Sequence, residues 1–374
     1  MLNNYTKKVF KNFSWLIFDK FLLMLVSLVI LINVANHYGP AEYGLYQYAL
    51  SLNIIFGVIV LFADEKVVKK LFSEEGEWRV LFNAVIAKVV LSILSLVIGI
   101  ILLLVIEGSQ KFNAMYILLL VNNIVINIAF GMQWYFDYHL KSKNIVIASN
   151  IANVTSAVLQ LTAISFNLSV ITIVSIVLFA SLLKVSIIFY QFNKHYHKAM
   201  IPVIEKTLVY SIIKKSVPLG IASAAAMIYA RTDQAMIGAI MSVDQVGIYS
   251  ISVQLMSIVI IAIVPIQVSV YPKMLAWYKE SHVVYYERYK IISSIATWLY
   301  IFGALISVVV APIVFDSLLS DEYSKSVDVF MIHIIGAFFM YNAVLRSSHF
   351  TITGYTKVLM ISQILAVLIN ILLN

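Results

Sequence analysis

Arg231 is the residue of this chain whose placement is hardest to reconcile with an inert role. It lies fourteen residues into an apolar run spanning 217 to 241 and ten from its far end. At 1.5 Å per helical residue that is ~21 Å and ~15 Å from the two limits, too deep for its side chain to reach either. A guanidinium stays charged and presents a planar fork of donors that matches phosphate oxygens. Asp233 is the nearest acid in sequence, but residues two apart on a helix point to different faces. Gln234 and Met227 share the Arg231 face, whereas Tyr229 and Ile237 share that of Asp233. Two roles stay open for Arg231: lining a wet substrate cavity, or an ion pair with another helix, with Asp19 as a candidate partner.

The other intramembrane charges rank by depth, since each costs ~2.5–3.5 kcal/mol to insert. Lys184 is eight residues from the end of its run, ~12 Å deep, and carries the same two readings. Lys20 and Lys88 lie seven residues inside theirs, ~10 Å, a depth from which a lysine snorkels to the surface. Asp19 and Lys20 keep interest as neighbours in the first run. The candidate substrate-binding set is therefore Arg231, Lys184, Lys20, Asp19, Asp233 and Gln234. Tyr46, Tyr229, Tyr249, Asn122, Asn123, Asn127 and Gln267 have the chemistry to hydrogen-bond or stack on sugars, although aromatic belts and interhelical hydrogen bonds account for such residues equally well. Several cations and few acids within the runs, of which Asp19 and Asp233 are the candidates for cation chemistry, suit an anionic ligand. An organic-cation exporter coupled to protons or sodium needs carboxylates. Pro265, inside the eighth run without its backbone donor, is expected to kink that helix.

Other chemistry is missing from the sequence. No glycine-rich loop ends in Gly-Lys-Ser/Thr, so ATP is not the direct energy source. The seven histidines include His195-Tyr196-His197, whose spacing does not bring two ring nitrogens to one helical face, and there is no cysteine. No catalytic residue, metal site or cofactor is expected.

Placing these side chains requires elements that live in lipid. Of 374 residues 62% are apolar and 12% charged, against about a quarter charged in a soluble domain. Mean hydropathy is +0.95. Eleven runs approach the ~20 residues that cross the hydrocarbon layer: 13 to 36, 45 to 63, 81 to 106, 114 to 136, 145 to 163, 170 to 192, 217 to 241, 248 to 270, 291 to 315, 327 to 345 and 358 to 374. They predict an all-α polytopic membrane protein; barrel strands would alternate polar and apolar residues instead. Twenty lysines and arginines fall in the N-terminal segment and the alternate connections that share its side, and only Lys111 and Lys325 on the other. Basic residues are retained in the cytoplasm, so the N-terminus is placed there. The net charge of +8 follows from that topology without nucleic acid. Outward connections of about a dozen residues or fewer leave no room for an extramembrane catalytic domain.

An internal repeat organises the runs. Glu42-Tyr43-Gly44-Leu45-Tyr46 returns as Gln245-Val246-Gly247-Ile248-Tyr249, and the same offset aligns Leu52 with Leu255. Both glycines open a helix from an outer turn, which suits glycine because it accepts positive φ and close packing. Two pseudo-repeated six-helix bundles are expected, residues 1–200 and 201–374, the second incomplete with helices 7 to 11 and reading as truncated.

The chain resembles bacterial polysaccharide flippases of the Wzx type, members of the multidrug/oligosaccharidyl-lipid/polysaccharide exporter superfamily. The resemblance is carried by Tyr38-Gly39-Pro40-Ala41-Glu42-Tyr43-Gly44-Leu45-Tyr46, by Gln133-Trp134-Tyr135-Phe136 ahead of Lys141-Ser142-Lys143, and by Arg231-Thr232-Asp233-Gln234-Ala235-Met236-Ile237-Gly238. Tyr271-Pro272-Lys273 and Asn370-Ile371-Leu372-Leu373-Asn374 extend it over essentially the whole chain. It implies two six-helix bundles around a cavity open to one side at a time, in the bacterial inner membrane. The implied function is translocation of undecaprenyl pyrophosphate-linked oligosaccharide repeat units for O-antigen or capsule. A polymerase and chain-length protein are implied partners, and proton or sodium coupling is a possibility of the superfamily. The alternatives are a multidrug or organic-cation antiporter of the same fold, and a membrane glycosyltransferase or polymerase, which the short outer loops disfavour.

Overall fold

A computed structural model describes residues 2–106, 114–195, 203–261 and 263–373. Every regular element among them is helical. In chain order they are α1 (Leu2–Gly57), a 3₁₀ turn (Val58–Phe62), α2 (Glu65–Glu75), α3 (Glu77–Ile106), α4 (Ala114–Tyr138), α5 (Ser142–Ser165), α6 (Val170–His195) and α7 (Lys206–Ile240). Then follow α8 (Val243–Ile261), α9 (Ile263–Glu280), α10 (His282–Leu318), a second 3₁₀ turn (Asp321–Tyr323), α11 (Ser326–Thr353) and α12 (Thr356–Leu373). Eight helical stretches are long and apolar enough to cross a membrane, with Lys357–Leu373 shorter but also apolar. This is a multi-pass, all-helical membrane protein.

All eleven expected spans fall on helices. The first two share α1, which is two helices meeting at Gly39, where φ 68° and ψ 175° turn the chain. Pro40 follows, its fixed φ suited to a first helical turn whose N–H needs no acceptor. In the eighth span residue 262 lies outside the described residues; the chain is helical on both sides of it, as α8 and α9, and Pro265 lies within the helical stretch that follows.

The chain forms two compact units. The first comprises residues 1–33 and 48–235, the second 34–47 and 236–373. In the first, α3 packs on α4, and α4 and α5 both pack on α6. At one end of these helices Val68, Leu71 and Phe72 of α2 join Trp134, Phe136, Ile188, Phe192 and Ile212 in a buried cluster. Trp78 stacks on Phe192 with centroids 6.0 Å apart. The segment before α7 is tied to α3 twice. Arg79 grips Glu205 with two bonds of 2.6 and 2.5 Å, and buried Asn83 donates to Val203 O at 3.0 Å while accepting from Glu205 N at 2.8 Å.

In the second unit the two copies of the repeat meet. A Cβ on Gly44 would lie 1.8 Å from Val243 O and 2.8 Å from Gly247 N, and one on Gly247 would lie 2.3 Å from Pro40 O. Close approach, not positive φ, is what these glycines supply; the positive φ of this turn belongs to Gly39. Fully buried Tyr43 accepts a 2.6 Å bond from Gln254 Nε2 and meets Tyr323 edge to face. Tyr323 in turn donates to Ala35 O at 3.1 Å.

Candidate functional site

The polar centre of the first unit is built around Lys88 of α3. The residue is 5% exposed, so it does not snorkel as its depth in the span predicted. The reason is a local acceptor. The second span closes in the 3₁₀ turn Val58–Phe62, where Val60 O accepts only a long 3.4 Å bond from Ala63 N and lies at the negative end of the helix dipole. Lys88 Nζ donates to Val60 O at 3.0 Å, and Ser95 of the same helix donates to Phe56 O at 3.0 Å. The cation also lies 5.1 Å from the Phe130 ring centroid and 5.2 Å from that of Trp134. A buried ammonium held by one carbonyl and two ring faces is stabilised without a carboxylate in direct contact.

Around it is a cavity of about 410 Å³. The end of α1 gives Asn53, α4 gives Asn122, Asn123 and Asn127, and Asp64 and Glu65 open α2. Asp64 caps α2 by accepting from Lys66 N and Val67 N, and Glu65 pairs with Lys69. Asn127 donates to Asn123 Oδ1 at 2.8 Å. The remaining wall is α7. Ser216, Gly220 and Ala224 form its buried stripe: Ser216 Oγ accepts from Asp64 N at 3.0 Å, and a Cβ on Gly220 would meet Phe62 Cδ1 at 2.4 Å. These small residues let α7 pack closely against its neighbour. This close approach brings Ser223 and Met227, on an adjacent stripe, to the cavity wall.

Arg231 continues that stripe, four residues beyond Met227 and ~6 Å further along α7. It donates to Gln234 Oε1 at 2.9 Å, and Gln234 is 1% exposed. The shared face of these two residues is thus realised. α7 remains helical through residues 231–233, which leaves Asp233 on a different face. Lys184 is half-buried on α6 and is not among the residues lining the cavity. The side chains of Asp19 and Lys20 lie outside the described residues. Of the sugar-contact candidates, the three asparagines share the cavity. Gln267 is committed to Ser348 Oγ at 2.8 Å, and Tyr249 pairs with His333 at 3.2 Å. Among the described residues no cluster of three acidic or histidine side chains offers a metal site.

Sequence reasoning ranked Lys88 low and missed its cavity. The available signal was the coincidence of a lysine in one span with Trp134 in another, but only packing shows that they meet.

Comparison with known proteins agrees with this architecture. The family model described as "Polysaccharide biosynthesis protein" matches residues 9–278. Among curated proteins no sequence matches. An inward-facing multidrug resistance MATE family transporter of the MOP superfamily superposes with a TM-score of 0.68 at 16% identity, covering 93% of this chain and 84% of that one. A MATE protein in a straight conformation gives 0.61 at 13% identity, covering 97% and 86%. The MATE multidrug transporter DinF-BH gives 0.59 at 14%, covering 96% and 85%. At these identities the likeness establishes the fold. With its family match running over well more than half of its length, the chain belongs to the polysaccharide biosynthesis protein family.

Proposed function

We propose that the protein is a flippase that moves lipid-linked oligosaccharide repeat units across the bacterial inner membrane by alternating access, with its N-terminus in the cytoplasm. The observation that carries the reading is Arg231, a permanent cation deep in α7, oriented by buried Gln234 on the stripe that also lines the Lys88 cavity. A guanidinium presents a planar fork of donors that matches a pyrophosphate. Family membership supports a saccharide substrate. Lys184, Asp233, Asp19 and Lys20 are kept as secondary positions in the same proposal, as is the origin of the bundles 1–200 and 201–374 by duplication.

Surface polysaccharide in cells carrying Arg231 variants tests the reading. Arg231→Ala should abolish export while leaving the protein abundant in the membrane, and Arg231→Lys should restore part of it because charge survives without the fork. If Arg231 is instead half of a buried ion pair, Arg231→Ala depletes the protein, and removing the acid as well rescues its level. Normal export by abundant Arg231→Ala protein rules out the pyrophosphate role. The likeness to multidrug transporters makes organic-cation export the second reading; loss of drug resistance with intact polysaccharide upon deletion would favour it. Orientation is checked in the cysteine-free background: exposed Lys325→Cys should react with an impermeant thiol reagent in intact cells and Lys70→Cys should not.

A further inference from the structure

The Lys88 cavity holds more hydrogen-bonding capacity than its own groups use. An ammonium has three donors, and one goes to Val60 O. On the acceptor side, Asn53 Oδ1 and Asn122 Oδ1 are buried without a hydrogen-bond partner, and Asn122 as a whole is 8% exposed. Leaving a buried amide oxygen unpaired costs ~1–3 kcal/mol, so two in one cavity mark a place where donors are supplied from outside the chain. A volume of about 410 Å³ is within the range of small-molecule sites.

The charges of the lining narrow the ligand. Lys88 is accompanied by two carboxylates, Asp64 and Glu65, so the cavity has no positive excess with which to hold a phosphate. Leu50, Ile54, Leu61 and Ile126 supply apolar wall between the polar groups. What complements this set is a ring with hydroxyls that donate to two amide oxygens, another oxygen that accepts from Lys88, and C–H faces for the aliphatic wall. We infer that the Lys88 cavity binds a neutral pyranose, while the anionic part of the same headgroup lies at Arg231, one helical turn beyond Met227. The inference rests on the flippase reading and adds to it the chemical class and position of the sugar subsite.

Trp134 lines the cavity and reports on it. Full-length protein in lipid nanodiscs is titrated with millimolar D-glucose, D-galactose, N-acetyl-D-glucosamine and inorganic pyrophosphate, and its tryptophan emission is compared with that of a Trp134→Phe protein. At least one neutral sugar should give a saturable change that is absent from Trp134→Phe and at least tenfold weaker in Asn122→Leu and Lys88→Met. Pyrophosphate should leave Trp134 unchanged. Asn122→Leu keeps the Lys88–Val60 bond, so it tests the site even if Lys88→Met fails to fold. Silence of Trp134 toward all three sugars in folded protein overturns the inference, as does a pyrophosphate response that disappears in Lys88→Met. If Arg231→Ala abolishes export while Trp134 stays silent, the sugar subsite fails alone. If sugar binds but deletion leaves surface polysaccharide intact, the flippase reading fails alone.

Discussion

The glycine contact of the second unit and the lysine cavity of the first solve opposite problems. At Gly44 and Gly247 backbone meets backbone with no room for a methyl group, and the buried tyrosine beside them has its hydroxyl paired. Around Lys88 there is empty volume, a buried charge and two amide oxygens without partners. The first arrangement is what packing alone favours, since interiors are close-packed and their polar groups satisfied. The second leaves two amide oxygens unpaired, a cost that the Lys88–Val60 bond and the ring contacts offset only in part. A costly polar cavity persists where function uses it, whereas a glycine pair persists because nothing larger fits.

Changes at the contact should have the largest effects. Gly44→Ala places a methyl carbon against a carbonyl oxygen that belongs to backbone and cannot rotate away, and Gly247→Ala does the same against Pro40 O. Such overpacking costs ~1–3 kcal/mol or more. Membrane abundance of either variant should fall severalfold, and thermal unfolding in detergent should occur well below the parent temperature. Gly336→Ala, where a Cβ meets nothing within 4 Å, is the control. It should hold or raise stability, since alanine is better than glycine within a helix by ~0.5–1 kcal/mol. Equal losses at Gly44 and Gly336 would mean that the contact is not tight.

In the cavity, stability and activity should separate. Lys88→Met removes the charged donor to Val60 O, leaving it the long bond from Ala63 N, and should cost ~1–3 kcal/mol, lowering the melting temperature by a few degrees and abolishing export. Asn122→Leu removes an unpaired oxygen, so its melting temperature should stay level or rise while export falls. A large destabilisation by Asn122→Leu would show that the amide is a structural group and that the two regions obey the same rule.

The smallest effect is expected at the rim of the first unit. The Arg79 guanidinium hydrogen-bonded to Glu205 holds its carboxyl below the ordinary glutamate range. A depressed carboxyl contributes stability that is fully present above the unfolded value near 4.5 and fades as pH falls through the folded one. Glu205→Gln should lower the melting temperature slightly at pH 7, and the difference from the parent should vanish in acid. Exposed pairs of this kind are weak and screened, so raising salt should shrink the difference further.

How much was legible in sequence differs between the same two regions. The repeat around Gly44 and Gly247 stood out because a local pattern recurs with a constant offset; of the two reasons that pattern offered for glycine, close packing holds and positive φ does not. The Arg231–Gln234 pairing was legible for the same kind of reason, since helical periodicity fixes which neighbours share a face. Lys88 was misread because depth was judged along its own helix, as if lipid and water were the only surroundings. The Val60 carbonyl of the 3₁₀ turn and two rings from α4 lie on other segments, and no local spacing announces them.

The sequence by itself determined the class of solvent, the positions of the spans and the family, because each follows from composition and periodicity accumulated over twenty or more residues. It also determined that Arg231 must have polar company, since no side chain reaches water from that depth. Only the tertiary structure decided that α1 turns at Gly39, that the two repeat glycines meet, and that the asparagines of α4 share one cavity with Lys88. These are relations between segments far apart in the chain. They depend on which faces of apolar helices pack together, and when nearly every face is apolar the hydrophobic pattern does not say which one is inside.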